Sequence, residues 1–191
     1  MQAMITSFCF DITKPIIDHG GEIHRYVGDQ VVVTWPLKDE RENLRVVECC
    51  FAIRRLVDAL SEGYLRQFGA AQEFRIGLHG GPVVISQIGD QKQELSYFGD
   101  TVNTAARIEQ QCKALNSWML ISAELLNRIR LPSAFHAKRL GTVQLRGREH
   151  AMELFTIVNG QSIFRAFEGR FCDEHQAVAD ASTPQGVSRQ Q

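Results

Sequence analysis

Hydrophobic residues along the chain fall into blocks of two different periods. Ile5, Phe8, Cys9, Ile12, Ile16 and Ile17 lie roughly on one helical face and predict a helix over 3–18, with a kink at Pro15 and a stop at His19-Gly20-Gly21. Two runs rich in β-branched and aromatic residues, 22–27 and 30–35, then flank Gly28-Asp29, the strongest short hairpin signal in the sequence. They predict a tight hairpin with Asp29 at its tip. From Asp39 to about Phe68, Leu44, Val47, Phe51, Val57, Leu60 and Tyr64 recur at threes and fours, with one gap at Arg54, which predicts a long amphipathic helix whose other face is charged and solvated.

A second strand pair follows, with one strand from Glu73 through His79 and Val83 to Ile88, the next from Glu94 to Phe98, and Gly89-Asp90 as the turn. The expected sheet therefore has at least four strands. Asp100 serves as the expected N-cap of a helix over 101–115 that buries Val102, Ala106 and Cys112. A short helix at 123–129 and strands at 136–145 and 151–158, joined around Gly147, complete the pattern. Beyond about Phe171 the periodicity is lost, so the expected organisation is one domain over 1–158 and an extension over 159–191 that is largely a flexible tail.

Composition narrows the class. At 191 residues, with 44% hydrophobic and 23% charged residues, the chain has the make-up of an ordinary globular domain and not of a disordered or fibrous protein. Its 21 lysines and arginines against 22 aspartates and glutamates give a net charge of -1, and so no electrostatic ground for nucleic acid or an anionic membrane as partner. The five cysteines form no Cys-x-x-Cys pair, which fits reduced thiols in a cytoplasmic protein. No apolar run approaches the roughly 20 residues that span a bilayer, and no secretory signal pattern opens the sequence.

Several residues could carry chemistry. A carboxylate at a rigid strand end, such as Asp29, can hold a hard divalent cation against phosphate oxygens, although Gly-Asp turns are also common as plain structure. Asn103 and Arg107, four apart on one helical face, suit recognition of ribose or phosphate oxygens; the plainer alternative is a solvated face, or an arginine paired with Asp100 or Glu109. Arg146, in the basic turn Leu145-Arg146-Gly147-Arg148, could meet terminal phosphates or simply be solvated. His79 has no partner at ligand spacing and reads as a packed or capped strand residue. Cys49, Cys50, Cys112, Trp35 and Trp118 read as core.

The order of the pieces says more than any one of them. Gly20-Gly-Glu-Ile-His-Arg-Tyr-Val-Gly-Asp29, Phe74-Arg-Ile-Gly-Leu-His-Gly-Gly-Pro-Val-Val84 and Tyr97-Phe-Gly-Asp-Thr-Val-Asn-Thr-Ala-Ala-Arg107 together resemble the class III adenylate and guanylate cyclase catalytic domain over about 5–158. The resemblance implies an α/β (α+β) domain with a ferredoxin-like core, a mostly antiparallel sheet flanked by helices, and a head-to-tail homodimer with active sites at the subunit interface. It implies cleavage of ATP to cyclic AMP and pyrophosphate under two divalent cations, Mg²⁺ or Mn²⁺. In that correspondence Asp29 is a metal ligand, Asn103 orients the ribose and Arg107 stabilises charge on the phosphate. Arg25, Ser96, Phe98 and Arg146 stand at substrate-binding positions, Arg146 where the family usually has lysine. Adenylate cyclases of the family usually carry lysine at the Arg25 position and aspartate or a small hydroxyl residue at the Ser96 position, where guanylate cyclases prefer glutamate and cysteine, so this pair points to ATP.

The sequence departs from the family at its front. Members begin with a strand bearing Phe-x-Asp-Ile, whose aspartate is the other ligand of the two-metal site beside the second metal aspartate that Asp29 matches, roughly forty residues before the hairpin aspartate. Phe10-Asp11-Ile12-Thr13 is superficially similar but lies only 18 residues before Asp29, so Asp11 reads as part of the helix ahead of the Gly-Gly turn. The expectation is thus a domain incomplete at its N-terminus, lacking its first strand and helix and one metal carboxylate. A catalytically impaired module that only dimerises or binds nucleotide is the competing reading. A diguanylate cyclase is disfavoured because the hairpin lacks a second acidic residue.

Overall fold

Helix α1 (Gln2–Asp18) forms where the sequence pattern places it and runs through Pro15 to its end. The computed structural model describes residues 2–88, 94–145 and 151–160, and the side chains of 86–88 and 94–98 fall outside that description. Gly20 N–H donates to Ile17 O and Gly21 N–H to Ile16 O, both at 2.9 Å, which satisfies the last carbonyls of α1 and turns the chain out. The buried stripe of α1 is Phe8, Ile12 and Ile16; Ile17, expected on the same face, is 62% exposed because it lies a hundred degrees round from Ile16.

Strands β1 (Glu22–Val27) and β2 (Gln30–Thr34) make the expected antiparallel hairpin. Helix α2 (Leu44–Phe68) starts five residues later than the pattern predicts. Asp39 instead organises the preceding turn, its Oδ1 accepting from Arg41 N–H at 2.9 Å and Glu42 N–H at 3.0 Å. Buried Asn43 then ties that turn to a distant one, with Nδ2 donating to Lys38 O and, at 2.9 Å, to Arg128 O.

The run expected as one strand from Glu73 to Ile88 is two: β3 (Ile76–Leu78) and β4 (Val84–Ile88), in different sheets. Gly80, Gly81 and Pro82 separate them, and Pro lacks the N–H a ladder needs. β4 pairs antiparallel with β5 (Glu94–Phe98) as a two-stranded ribbon, while the Gly89-Asp90 turn lies outside the described residues. Helix α3 (Asp100–Ala114) follows, then β6 (Met119–Ser122), α4 (Ala123–Leu126), β7 (Phe135–Val143) and β8 (Met152–Asn159). The central sheet has the order β3-β6-β8-β7, with β3 parallel and β8 antiparallel to β6. Strands expected in one sheet of at least four are therefore divided among three sheets.

Strand β6 was absent from the sequence pattern, and its burial explains why. All four residues are buried, with Met119 and Ile121 packed on the α2 side among Val47, Phe51 and Ile157, and Leu120 on the α3 side among Ile108, Cys112 and Leu154. A strand covered on both faces has no polar-apolar alternation to read. Helices thus flank the sheet in a mixed α+β arrangement. Among the described residues β2 is bonded only to β1, and β3 only to β6, so each keeps an edge without a strand partner.

The described residues up to Val158 form one compact unit. The expected tail and the Gly147 turn lie outside the described residues. No helix among the described residues is long and apolar enough to cross a membrane.

Asp11 sits in α1, as read from the sequence, where its Oδ2 accepts a 2.6 Å hydrogen bond from Tyr64 OH of α2. The pair lies in a cleft of about 430 Å³ between the two helices, beside Phe10, Leu60 and Phe68. Burial, then the hydrogen bond and charge of Asp11, push the Tyr64 phenol up. Cys49, Cys50 and Cys112 are core, as expected, and burial pushes the Cys49 and Cys112 thiols up to about 12. His79 accepts or donates at 2.9 Å between Nδ1 and Ser122 Oγ, a packed position as expected.

Two outcomes follow from this packing. A Cβ at Gly77 would overlap the Ala105 carbonyl and the Glu109 amide nitrogen of α3, so Gly77→Ala should cost about 2–3 kcal/mol in urea unfolding by forcing helix and strand apart. A raised thiol pKa means the fold holds the neutral form, so protection is complete below the ordinary value of 9.0 and is lost as pH climbs towards about 12. In a Cys172→Ser background at pH 8, a thiol reagent should therefore modify half-buried Cys9 on the order of 100-fold faster than Cys49, Cys50 or Cys112, read by mass spectrometry of peptides.

Candidate functional site

The β1–β2 hairpin closes between Val27 and Gln30, leaving Gly28 and Asp29 as a two-residue turn. Gly28 has φ +64°, a conformation that favours glycine at the first turn position and matches the twist of the strands. Asp29 is exposed at the tip, and Arg25, also exposed, lies on the same strand arm. A register shift between Ile23 and Arg25 marks a β-bulge at His24, which re-aims the residues that follow it towards the tip.

Helix α3 carries the other candidates, and its start is locked. Gly99 is the N-cap and Asp100 the first helical residue, a correction to the expected Asp100 cap: no side chain caps this terminus. Thr101 Oγ1 donates to Pro82 O at 2.6 Å and so fastens the first turn to the loop after β3. The buried face is Thr104, Ile108 and Cys112, while Val102 and Ala106, expected in the core, are only half-buried. The fourfold spacing of the buried residues fixes where the rest point. Asn103 is exposed, and Asn103, Ala106, Arg107 and Gln110 line one open cleft of about 400 Å³. The sequence reading did not include Gln110, although the spacing 103, 107, 110 along one helical face contained it.

Arg107 is half-buried and reaches back along the helix, its Nη1 3.8 Å from Asp100 Oδ1. The pairing with Asp100 that the sequence left open is thus present, and it coexists with the cleft. Glu109, the other partner considered, has its carboxyl pushed above the ordinary range, first by burial; Arg75 pulls it back and Asp29 adds to the rise. The hairpin carboxylate is therefore within electrostatic range of α3.

Ser96 and Phe98 belong to β5, where Ser96 is in register with Ser86, but their side chains lie outside the described residues. Arg146 lies outside them altogether. The two-cation centre implied by the sequence resemblance is not formed by what is described. Among the described residues no three His, Cys, Asp or Glu side chains converge, Asp29 stands as one exposed carboxylate, and Asp11 is engaged by Tyr64.

Comparison with known proteins places this geometry. The model of the adenylate and guanylate cyclase catalytic domain matches residues 10–159. Adenylate cyclase 2 of Rhizobium meliloti (strain 1021) is 36% identical over 160 residues, covering 84% of this chain and 44% of that protein. The chain spans less than half the length of the first curated relatives it matches. Among solved structures, the adenylyl cyclase CyaB from P. aeruginosa superposes with TM-score 0.72 at 20% identity, over 86% of this chain and 85% of that one. The guanylyl cyclase Cya2 does so with TM-score 0.69 at 20% identity, over 87% of each. The motifs, the mixed α+β fold and the extent of these matches agree: the chain belongs to the adenylate and guanylate cyclase catalytic domain family.

Proposed function

We propose that this chain is the catalytic domain of an adenylate cyclase, converting ATP to 3',5'-cyclic AMP and pyrophosphate as part of a head-to-tail homodimer. The observation that carries the reading is the placement of Asn103 and Arg107 on one face of α3, beside an open cleft and on a helix fixed at its start. In the reaction the ribose 3'-hydroxyl gives its proton to water as its oxygen bonds to the α-phosphorus, the bond between the α-phosphorus and the oxygen bridging to the β-phosphate breaks, and pyrophosphate leaves with that oxygen. The Asn103 amide holds the ribose in line. The Arg107 guanidinium donates to the α-phosphate oxygens as charge grows on them, where a preorganised donor acts most strongly.

The choice of ATP rests on Arg25 and Ser96 and on relatives named adenylate cyclase. Guanylyl cyclases share the fold, so the fold does not select the base. In this reading Arg146 meets the terminal phosphates, Phe98 flanks the substrate and Asp29 is one ligand of the divalent cations. The second carboxylate would come with a further strand, and the unpartnered edges of β2 and β3 support a place for one.

One observation favours a second reading, that of an impaired module which dimerises or binds nucleotide without turning it over: the described residues supply a single carboxylate at the hairpin tip. The deciding measurement is cyclic nucleotide production from ATP with Mn²⁺ by the purified, folded chain. Activity is expected, and Asn103→Ala or Arg107→Ala should each lower kcat about 100-fold with an unchanged circular dichroism spectrum. A folded chain that produces no cyclic nucleotide would establish the second reading instead. For base choice, Arg25→Glu combined with Ser96→Cys should move the ratio of GTP to ATP turnover upward by about tenfold or more.

A further inference from the structure

The ion pair beside the cleft has an unusual feature. Arg107 Nη1 is shielded from solvent yet donates to no hydrogen-bond acceptor among the described residues, and the anion it pairs with, Asp100 Oδ1, is 3.8 Å away, beyond hydrogen-bond length. A desolvated donor left without an acceptor is costly, so a guanidinium with arginine's freedom would ordinarily swing out to water. The side chain as a whole is 33% exposed, so the outward path is open. What opposes the swing is the Asp100 carboxylate, seven residues earlier and so nearly two turns back on the same face, in the direction helical side chains lean. Asp100 is itself held in the first turn, where the positive end of the helix dipole favours an anion, and Thr101 bonds that turn to the Pro82 carbonyl.

From this geometry we infer that Asp100 is a positioning residue for Arg107: by charge alone, and at 3.8 Å, it anchors the shielded Nη1 side of the guanidinium, so that the rest of the group stays at the cleft it lines with Asn103 and Gln110. This rests on the cyclase reading for a phosphate as the ligand of the cleft, but the positioning itself does not. An ion pair on the shielded side orients the group and leaves the donors at the cleft available. Asp100 is 55% exposed in its side chain, so replacing it by asparagine keeps the shape and removes only the charge without disturbing the core.

The test has two arms. In the kinetic arm, Asp100→Asn should lower kcat about tenfold with KM within a factor of two, Asp100→Glu should recover most of the loss, and Asp100→Asn should have no further effect once Arg107 is alanine. Equal losses from Asp100→Asn with and without Arg107 would overturn the inference. In the second arm, independent of turnover, side-chain ¹⁵N NMR follows rotation of the Arg107 guanidinium about its Cζ–N bonds. Rotation should be slow in the wild type and in Asp100→Glu, and at least about fivefold faster in Asp100→Asn. Equal rates in all three would overturn the positioning role. A wild-type chain that makes no cyclic nucleotide but shows the rate difference would overturn the proposed catalysis and leave the positioning role standing.

Discussion

A single close approach sets the position of the helix that carries Asn103 and Arg107. At Gly77 the backbone of α3 lies so near β3 that no side chain fits between them. Strand β3 is bonded to β6, all four residues of which are buried, so the helix is referenced backbone to backbone to the central sheet. Its face is then no longer free to rotate. With Thr104, Ile108 and Cys112 turned into the sheet, Asn103, Arg107 and Gln110 face the cleft, and a rotation by one residue would move Asn103 by a hundred degrees.

The sequence was legible wherever one face of an element meets water. The hairpin with Asp29 at its tip, α1 and most of α2 follow from alternation, helical period and turn chemistry. It was illegible where an element is covered twice or where a local signal competes with tertiary packing. Strand β6, Met119–Ser122, carries no alternation because α2 covers one side and α3 the other. The first turn of the expected α2 yields to Asp39, whose carboxylate draws the Arg41 and Glu42 amides into a turn before Leu44 can start the helix. For α3, Val102 and Ala106 look like core by hydrophobicity, but the fully buried places go to Thr104 and Ile108, since position around the helix relative to Gly77 outranks side-chain type.

For the candidate site, the helical spacing was legible and the electrostatics were not. Asn103 and Arg107 were visible as a pair four apart, but nothing in the sequence distinguished a solvated arginine from one with a shielded, unsatisfied nitrogen. That distinction matters physically. A solvated guanidinium must shed water before it can act on a phosphate, while one already stripped on its anchored side incurs that part of the cost during folding. The carboxylate of Glu109 shows the same low-polarity setting from the other side, being pushed upward mainly by burial despite Arg75 nearby.

The two sides of the candidate site are held by different physics. Asn103 and Arg107 ride on a helix fixed by backbone contact to the central sheet, whereas Asp29 rides on a hairpin that has no strand bonds to that sheet among the described residues. Its inward residues Ile23, Val31 and Val33 rest on the core formed by α1 and α2, and Trp35 joins that core to the one beneath β6 while its Nε1 donates to His19 O at 3.1 Å. Side-chain packing of this kind is firm but non-directional, and it tolerates small displacements that a hydrogen-bonded ladder does not. A donor that must meet charge developing in a transition state needs the stricter support, because an error of 1 Å there is expensive in rate. The hairpin that carries Asp29 has only the looser support, so the fold divides into a ladder-bound half that fixes Asn103 and Arg107 and a packed half that places the hairpin.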